Sequence, residues 1–221
     1  MKPKTDTGKL KIFFIRHAQS GDHEGSKRQG PDSPLGKNGK RQAKAVAKRI
    51  SKEEIDVILS SKWARARETA ETIAKKLKKD LELVEGIHER EENPDLYGLD
   101  MKDEFQVRYV NEVHKFGADL DWKFEGDGES LRDLIKRVAK FKKYLVKTYK
   151  DKNILVVTHG LVIRTFVVLA LLGENYDDEN FHKILRGLSS ENTGISLLEY
   201  DQKKKKWELR YLNEHTHLRG I

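Results

Sequence analysis

Apolar residues in this chain of 221 gather into short runs set between long charged stretches. Two runs are almost wholly apolar, residues 11–16 (KIFFIR) and 153–158 (NILVVT). Runs of that length bounded by polar residues read as strands buried on both faces. Residues 56–59 (DVIL) and 81–87 suit two further strands. Between these runs the period changes. Ala43, Val46, Ala47 and Ile50 fall at helical spacing within 38–51, and Ala66, Ala70, Ile73, Ala74 and Leu77 do so within 63–78. A long helix is predicted over 130–149, with Leu131, Leu134, Ile135, Val138 and Leu145 inward, and another over 161–172, stopped by Gly173. Residues 89–128 are the least regular part, rich in acids, Asn, Pro and Gly, with one helix near 103–116. The chain closes in two strand-like runs, 194–200 and 207–212, joined by the lysine tract 203–206. Strands alternating with helices predict an α/β fold with a mostly parallel central sheet flanked by helices. The final pair adds a C-terminal antiparallel hairpin, at an edge of the sheet or on one side of it. No repeat or linker divides the chain, so 1–221 is expected to form one domain, with 89–128 as its lid or specificity region.

Composition narrows the classes. Lys and Arg number 44 against 36 Asp and Glu, a net charge of +8, and cysteine is absent. Disulfides, thiolate metal sites and a cysteine nucleophile are therefore excluded together. The most apolar stretch, 161–172, contains Arg164 and falls short of the ~20 residues that cross a bilayer. Residues 1–11 are polar and lysine-rich with no apolar core behind them, unlike a secretory leader, and a cytoplasmic location is expected. The positive surplus suits nucleic acid, an anionic membrane surface or a small anionic substrate, and does not choose among them.

In open parallel sheets ligands bind beyond the carboxyl ends of the strands. The first strand ends in Arg16 and His17. The second ends in Ser60 and Ser61, before a helix whose first turn holds Arg65 and Arg67. The third leads to His88 and Glu89, and the later apolar strand to Thr158, His159 and Gly160 at a helix N-terminus. Histidines, arginines and a carboxylate thus meet on one rim. Those residue types suit phosphoryl transfer. A guanidinium fork matches phosphoryl oxygens, and a helix N-terminus adds free N–H groups. Neighbouring arginines keep a histidine neutral and nucleophilic. A carboxylic acid beside an incoming dianion has a raised pKa and can protonate the leaving oxygen, a role for which Glu89 is the candidate.

The segment from Phe14 to Ser20 (FIRHAQS) resembles the signature of the histidine phosphatase superfamily, in its phosphoglycerate mutase-like branch. Pro34 and Leu35 with Gly39, Ser60 and Ser61 followed by Arg65, Ala66, Thr69 and Ala70, Gly128-Glu129-Ser130, and Val157-Thr158-His159-Gly160 resemble further family motifs, in order and in register. The resemblance implies a three-layer phosphoglycerate mutase-like fold. It implies phosphorylation of His17, a phosphate pocket of Arg16, Arg65 and His159, and Glu89 as proton donor. Gln19, Ser20 and Gly160 are expected to join Arg16, Arg65 and His159 in binding substrate. Neither metal nor organic cofactor is expected.

The chain also departs from the pattern. Ala18 and Gln19 stand where the family commonly has Gly and Glu. Residues 21–25 (GDHEG) replace the mutases' Trp-Asn and Phe-Thr-Gly-Trp pattern. The acid segment lacks the usual Phe-Gly-x-Trp-Glu-Gly continuation, so Glu91 and Glu92 stand as alternatives to Glu89. The expected activity is hydrolysis of a small phosphomonoester through phosphohistidine, with no membrane or nucleic-acid partner. Its rivals are a cofactor-dependent phosphoglycerate mutase and a catalytically silent phospho-ligand module. Arg67 reads as a surface residue, His23 and His88 as outside the site, Trp63, Trp122 and Trp207 as packing residues, and the lysine tract as a solvated turn.

Overall fold

In the computed structural model, which describes residues 8–220, the apolar runs become β1 (Lys9–Arg16), β2 (Val57–Ser61), β3 (Leu81–Val84), β4 (Asn153–Thr158), β5 (Ile195–Asp201) and β6 (Lys206–Glu214). They pair into one sheet in the order β3-β2-β4-β1-β5-β6. The β1–β4, β2–β4 and β2–β3 pairs are parallel, whereas β5 runs antiparallel to β1 and β6 antiparallel to β5. The closing pair is the expected antiparallel hairpin, and of its two open placements it takes the edge, continuing the sheet beyond β1. Of the polar N-terminal stretch, residues 1–7 lie outside the described residues, as does residue 221.

The helices are α1 (Gly21–Glu24), α2 (Lys37–Ile50), α3 (Ala64–Leu77), α4 (Glu104–Phe116), α5 (Leu131–Thr148), α6 (Gly160–Leu172) and α7 (Asp178–Gly187). Successive side chains of a strand point to opposite faces, so each central strand feeds two cores. Leu10, Ile12 and Phe14 of β1, with Ile154 and Val156 of β4, pack against α5, α6 and α7. Phe13 and Ile15, with Leu155 and Val157, pack against α2 and α3. The result is three layers, and it explains why 11–16 and 153–158 are apolar at every central position.

Three elements differ from expectation, the first being the four-residue α1, which forms where no helix is predicted. Strand β3 stops at Val84 rather than residue 87, because Gly86 adopts φ +77° and turns the chain out of the sheet. Helix α7 was not predicted. Asp177 caps it through the Asn180 N–H, and Phe181 and Leu185 bury its inner face. Residues 89–128 include α4 and two short 3-10 turns, Pro94–Leu96 and Phe124–Gly126, around a cluster of Leu96, Tyr109 and Phe124. No helix among the described residues is long and apolar enough to cross a membrane.

Candidate active site

Strands β1, β2, β3 and β4 all deliver their carboxyl ends to one edge of the sheet. His17 follows β1, and its backbone N–H bonds the Thr158 carbonyl at 2.8 Å, locking it beside the end of β4. Its ring is buried. Nδ1 lies 2.8 Å from the Ala18 carbonyl oxygen, which can only accept, so Nδ1 holds the proton and Nε2 keeps its lone pair. The Arg65 Nε–H donates to that lone pair at 3.1 Å. Burial first, then the charges of Arg65 and Arg16, hold the His17 pKa well below the ordinary histidine range. Position is fixed from α3 as well. The Thr69 hydroxyl accepts from the Ala18 N–H at 3.0 Å and donates to the Arg65 carbonyl at 2.6 Å, joining the His17 loop to the first turn of α3.

Arg65 also donates from Nη1 to the Gly30 carbonyl at 2.7 Å, and burial pushes its pKa down to about 10. Arg16 donates to the Ser190 carbonyl, while its buried Nε has no protein partner. A Cβ at Gly160 would lie 3.4 Å from that Nε, so glycine at the start of α6 lets the arginine pass close. His159 packs behind His17 with ring centroids 5.0 Å apart. Its Nε2 is 3.0 Å from the Ser61 hydroxyl and its buried Nδ1 has no protein partner. Burial, then Arg65 and His17, keep it neutral.

The carboxylate of Glu89 caps α6, accepting the Leu161 N–H at 3.2 Å, and accepts the Arg90 N–H at 3.1 Å. It faces Arg16, His17 and Arg65 across a cavity of about 250 Å³. Glu91 points elsewhere, 3.3 Å from His88 Nε2 and half exposed. Glu92 lines the cavity but is held by Arg28 at 2.6 Å and by the Tyr109 hydroxyl at 2.6 Å.

Arg16, His17, Arg65 and Glu89 are thus brought together, with His159 stacked behind them. Gln19 and Ser20 are not. Gln19 lines a neighbouring cavity of about 660 Å³ with His23, and that cavity shares Arg16, Arg28 and Gln29 with the first. Ser20 is fully buried and accepts the His23 N–H at 3.2 Å as the cap of α1, so its hydroxyl is spent on the backbone. Arg67 is exposed, 3.7 Å from Glu71, as expected of a surface residue. Trp63 does more than pack: it lines the cavity, stacks on His88 and sets its edge on His159. Arg28, Gln29, Arg90, Tyr97, Leu161 and Arg164 complete the lining and were not expected. Only Arg164 had a signal, as the sole charge in an apolar helix, four residues beyond Gly160. Among the described residues no group of three or more His, Asp or Glu could hold a metal ion.

Residues 12–215 match the family model of the histidine phosphatase superfamily (branch 1). Phosphoserine phosphatase 1 of Hydrogenobacter thermophilus is 32% identical over 172 residues, covering 74% of this chain and 77% of its own. Phosphoglycerate mutase-like protein 4 of Arabidopsis thaliana is 36% identical over 165 residues, covering 72% and 70%. The crystal structure of phosphoserine phosphatase from Entamoeba histolytica in complex with 3-phosphoglyceric acid superposes with a TM-score of 0.74 at 29% identity, over 95% of this chain and 99% of that one.

Proposed function

The chain belongs to branch 1 of the histidine phosphatase superfamily and is a phosphoric monoester hydrolase, and we propose that it works through a phosphohistidine formed on His17 Nε2. The observation that carries the reading is the ring's hydrogen bonding: with Nδ1–H given to the Ala18 carbonyl, the nucleophilic lone pair is on the cavity side beside Arg65. As substrate enters, the Arg65 Nε–H moves from that lone pair to a phosphoryl oxygen. Nε2 then bonds to phosphorus as the ester P–O bond breaks, and Glu89 gives its proton to the departing alkoxide. Water next attacks phosphorus, losing a proton to Glu89, and the P–N bond electrons return to His17. Arg16, Arg65 and the Nδ1–H of His159 stabilise the phosphoryl oxygens through both steps.

The substrate we assign is a small phosphomonoester whose alcohol carries a carboxylate. Five arginines line the cavity against Glu89 and Glu92. With His17 neutral, a phosphoryl dianion leaves positive charge over. Arg164 reaches only main-chain carbonyls, at 3.4 and 3.5 Å, and is the cation best placed to take a second anionic group. Phosphoserine and 3-phosphoglycerate have that chemistry and are named with the relatives above.

Replacing His17 by Ala should abolish turnover, while the native enzyme quenched during turnover should yield an acid-labile, base-stable phosphoenzyme. Full activity in H17A would sink the mechanism. A screen of phosphate release should favour phosphoserine and 3-phosphoglycerate over neutral phosphomonoesters, and Arg164→Gln should erase that preference. Exchange between 2- and 3-phosphoglycerate primed by a bisphosphate would restore the mutase reading.

A further inference from the structure

Glu89 sits on a segment with no regular structure. Between the end of β3 at Val84 and the turn at Pro94 no strand or helix is formed, so the carbonyls there have no ladder or helical partners. Arg137, on α5, takes their place. Its Nη1 donates to the carbonyls of Gly86 at 3.0 Å and His88 at 2.7 Å, and its Nη2 to that of Glu89 at 2.9 Å. Nε and Nη2 also grip the two oxygens of Glu129 at 2.8 Å each. A guanidinium has five N–H donors, and here all five are in use.

Glu129 extends the grip along the same segment. Its carboxylate accepts the Glu91 N–H at 3.1 Å, and its own N–H donates to the Glu91 carbonyl at 2.7 Å. Gly128 makes that approach possible. It adopts φ +73°, and a Cβ there would lie 2.6 Å from the Glu91 carbonyl oxygen. Ser130 then starts α5 with a capping box to Asp133, which fixes the helix that presents Arg137. The Arg137 side chain is 13% exposed, and neither Arg137 nor Glu129 lines the cavity.

We propose that Arg137 is a positioning residue for phosphoryl transfer: with Glu129 it clamps residues 86–91 and so aims the Glu89 carboxylate at the leaving oxygen. This rests on the reading of Glu89 as the acid. Lysine cannot replace it, since an ammonium has three donors and no plane to span three carbonyls and a carboxylate. A reacting group displaced by ~1 Å can cost about 100-fold in rate.

The test compares kcat/KM, which reports transfer to His17, for two esters of different leaving group. p-Nitrophenyl phosphate releases a stable phenolate and needs little proton donation, whereas phosphoserine releases an alkoxide and needs it fully. Arg137→Lys and Glu129→Gln should each lose about 100-fold on phosphoserine and only a few-fold on p-nitrophenyl phosphate. In a Glu89→Gln background Arg137→Lys should add nothing on either ester. Equal losses on both esters, or a further loss in the Glu89→Gln background, would overturn the clamp. If Glu89→Gln alone treats the two esters alike, the acid reading fails and the clamp falls with it. Should Arg137→Lys fail to fold, as judged by its melting curve, Glu129→Gln makes the same comparison on one arm of the clamp.

Discussion

His17 and His159 are kept neutral by burial and by the arginines beside them, with pKa values well below the ordinary 6.5. The sign of the linkage follows. Below about pH 6.5 the unfolded chain binds protons that the fold refuses, so stability is full above that value and is lost as the pH falls through it. We expect the melting temperature to fall between pH 7 and pH 5, and less steeply in His17→Asn; a flat profile would contradict the neutral assignment. With His17 as the proposed nucleophile and neutral throughout that range, the acid limb of kcat/KM should lie below 6.5. Ser61 adds a second expectation. Its oxygen accepts the Trp63 N–H at 3.3 Å and lies 3.0 Å from His159 Nε2; a hydroxyl donating to Nε2 leaves the ring proton on Nδ1, the tautomer that the proposed role of His159 requires. Ser61→Ala should therefore cost about tenfold in kcat/KM, the rate equivalent of one hydrogen bond, with the nucleophile still phosphorylated. Unchanged kinetics in Ser61→Ala would mean that the tautomer is set otherwise.

At the scale of elements, the approach of α2 to the nucleophile loop depends on one missing side chain. A Cβ at Gly39 would lie 1.8 Å from the Gln19 carbonyl oxygen. Gly39→Ala should cost about 3 kcal/mol through forced separation and lower the melting temperature by roughly 10 °C; a variant that melts like the native protein would show that the loop yields freely. The same elements show how far the sequence could be read. Strands β1 and β4 were legible because both of their faces are buried, and α2, α3 and α5 because their apolar stripes keep helical spacing. Arg16, His17, Arg65, Glu89 and His159 were legible because each follows a strand end that topology sends to one rim. The rest depends on tertiary approach. Arg28, Gln29 and Tyr97 come from irregular segments that no periodicity marks, and Ser20 carries the short polar side chain of a ligand while serving as a helix cap. Helix α7 had its signal, with Asp177 before Phe181, Ile184, Leu185 and Leu188 at helical intervals; its ten residues between polar stretches hid it.

For the whole molecule, β1 and β4 contribute side chains to both large cores, so neither layer of helices can leave without exposing the other's floor. A single calorimetric transition is expected, and two separated transitions would speak against one domain. Binding of vanadate, a phosphoryl mimic, should raise that transition, by ~2.7 kcal/mol of stability at a hundred times its dissociation constant, and the rise should vanish in Arg65→Ala. The cradle that makes this so also constrains turnover. In the proposed mechanism Arg16 and Arg65 hold phosphoryl oxygens whether those oxygens belong to an ester or to the free anion, and Arg16 brings a buried Nε with no protein partner. Inorganic phosphate is then expected to compete with substrate, seen as a rise of apparent KM with added phosphate at unchanged kcat. An enzyme of this design runs fastest where its own product is scarce.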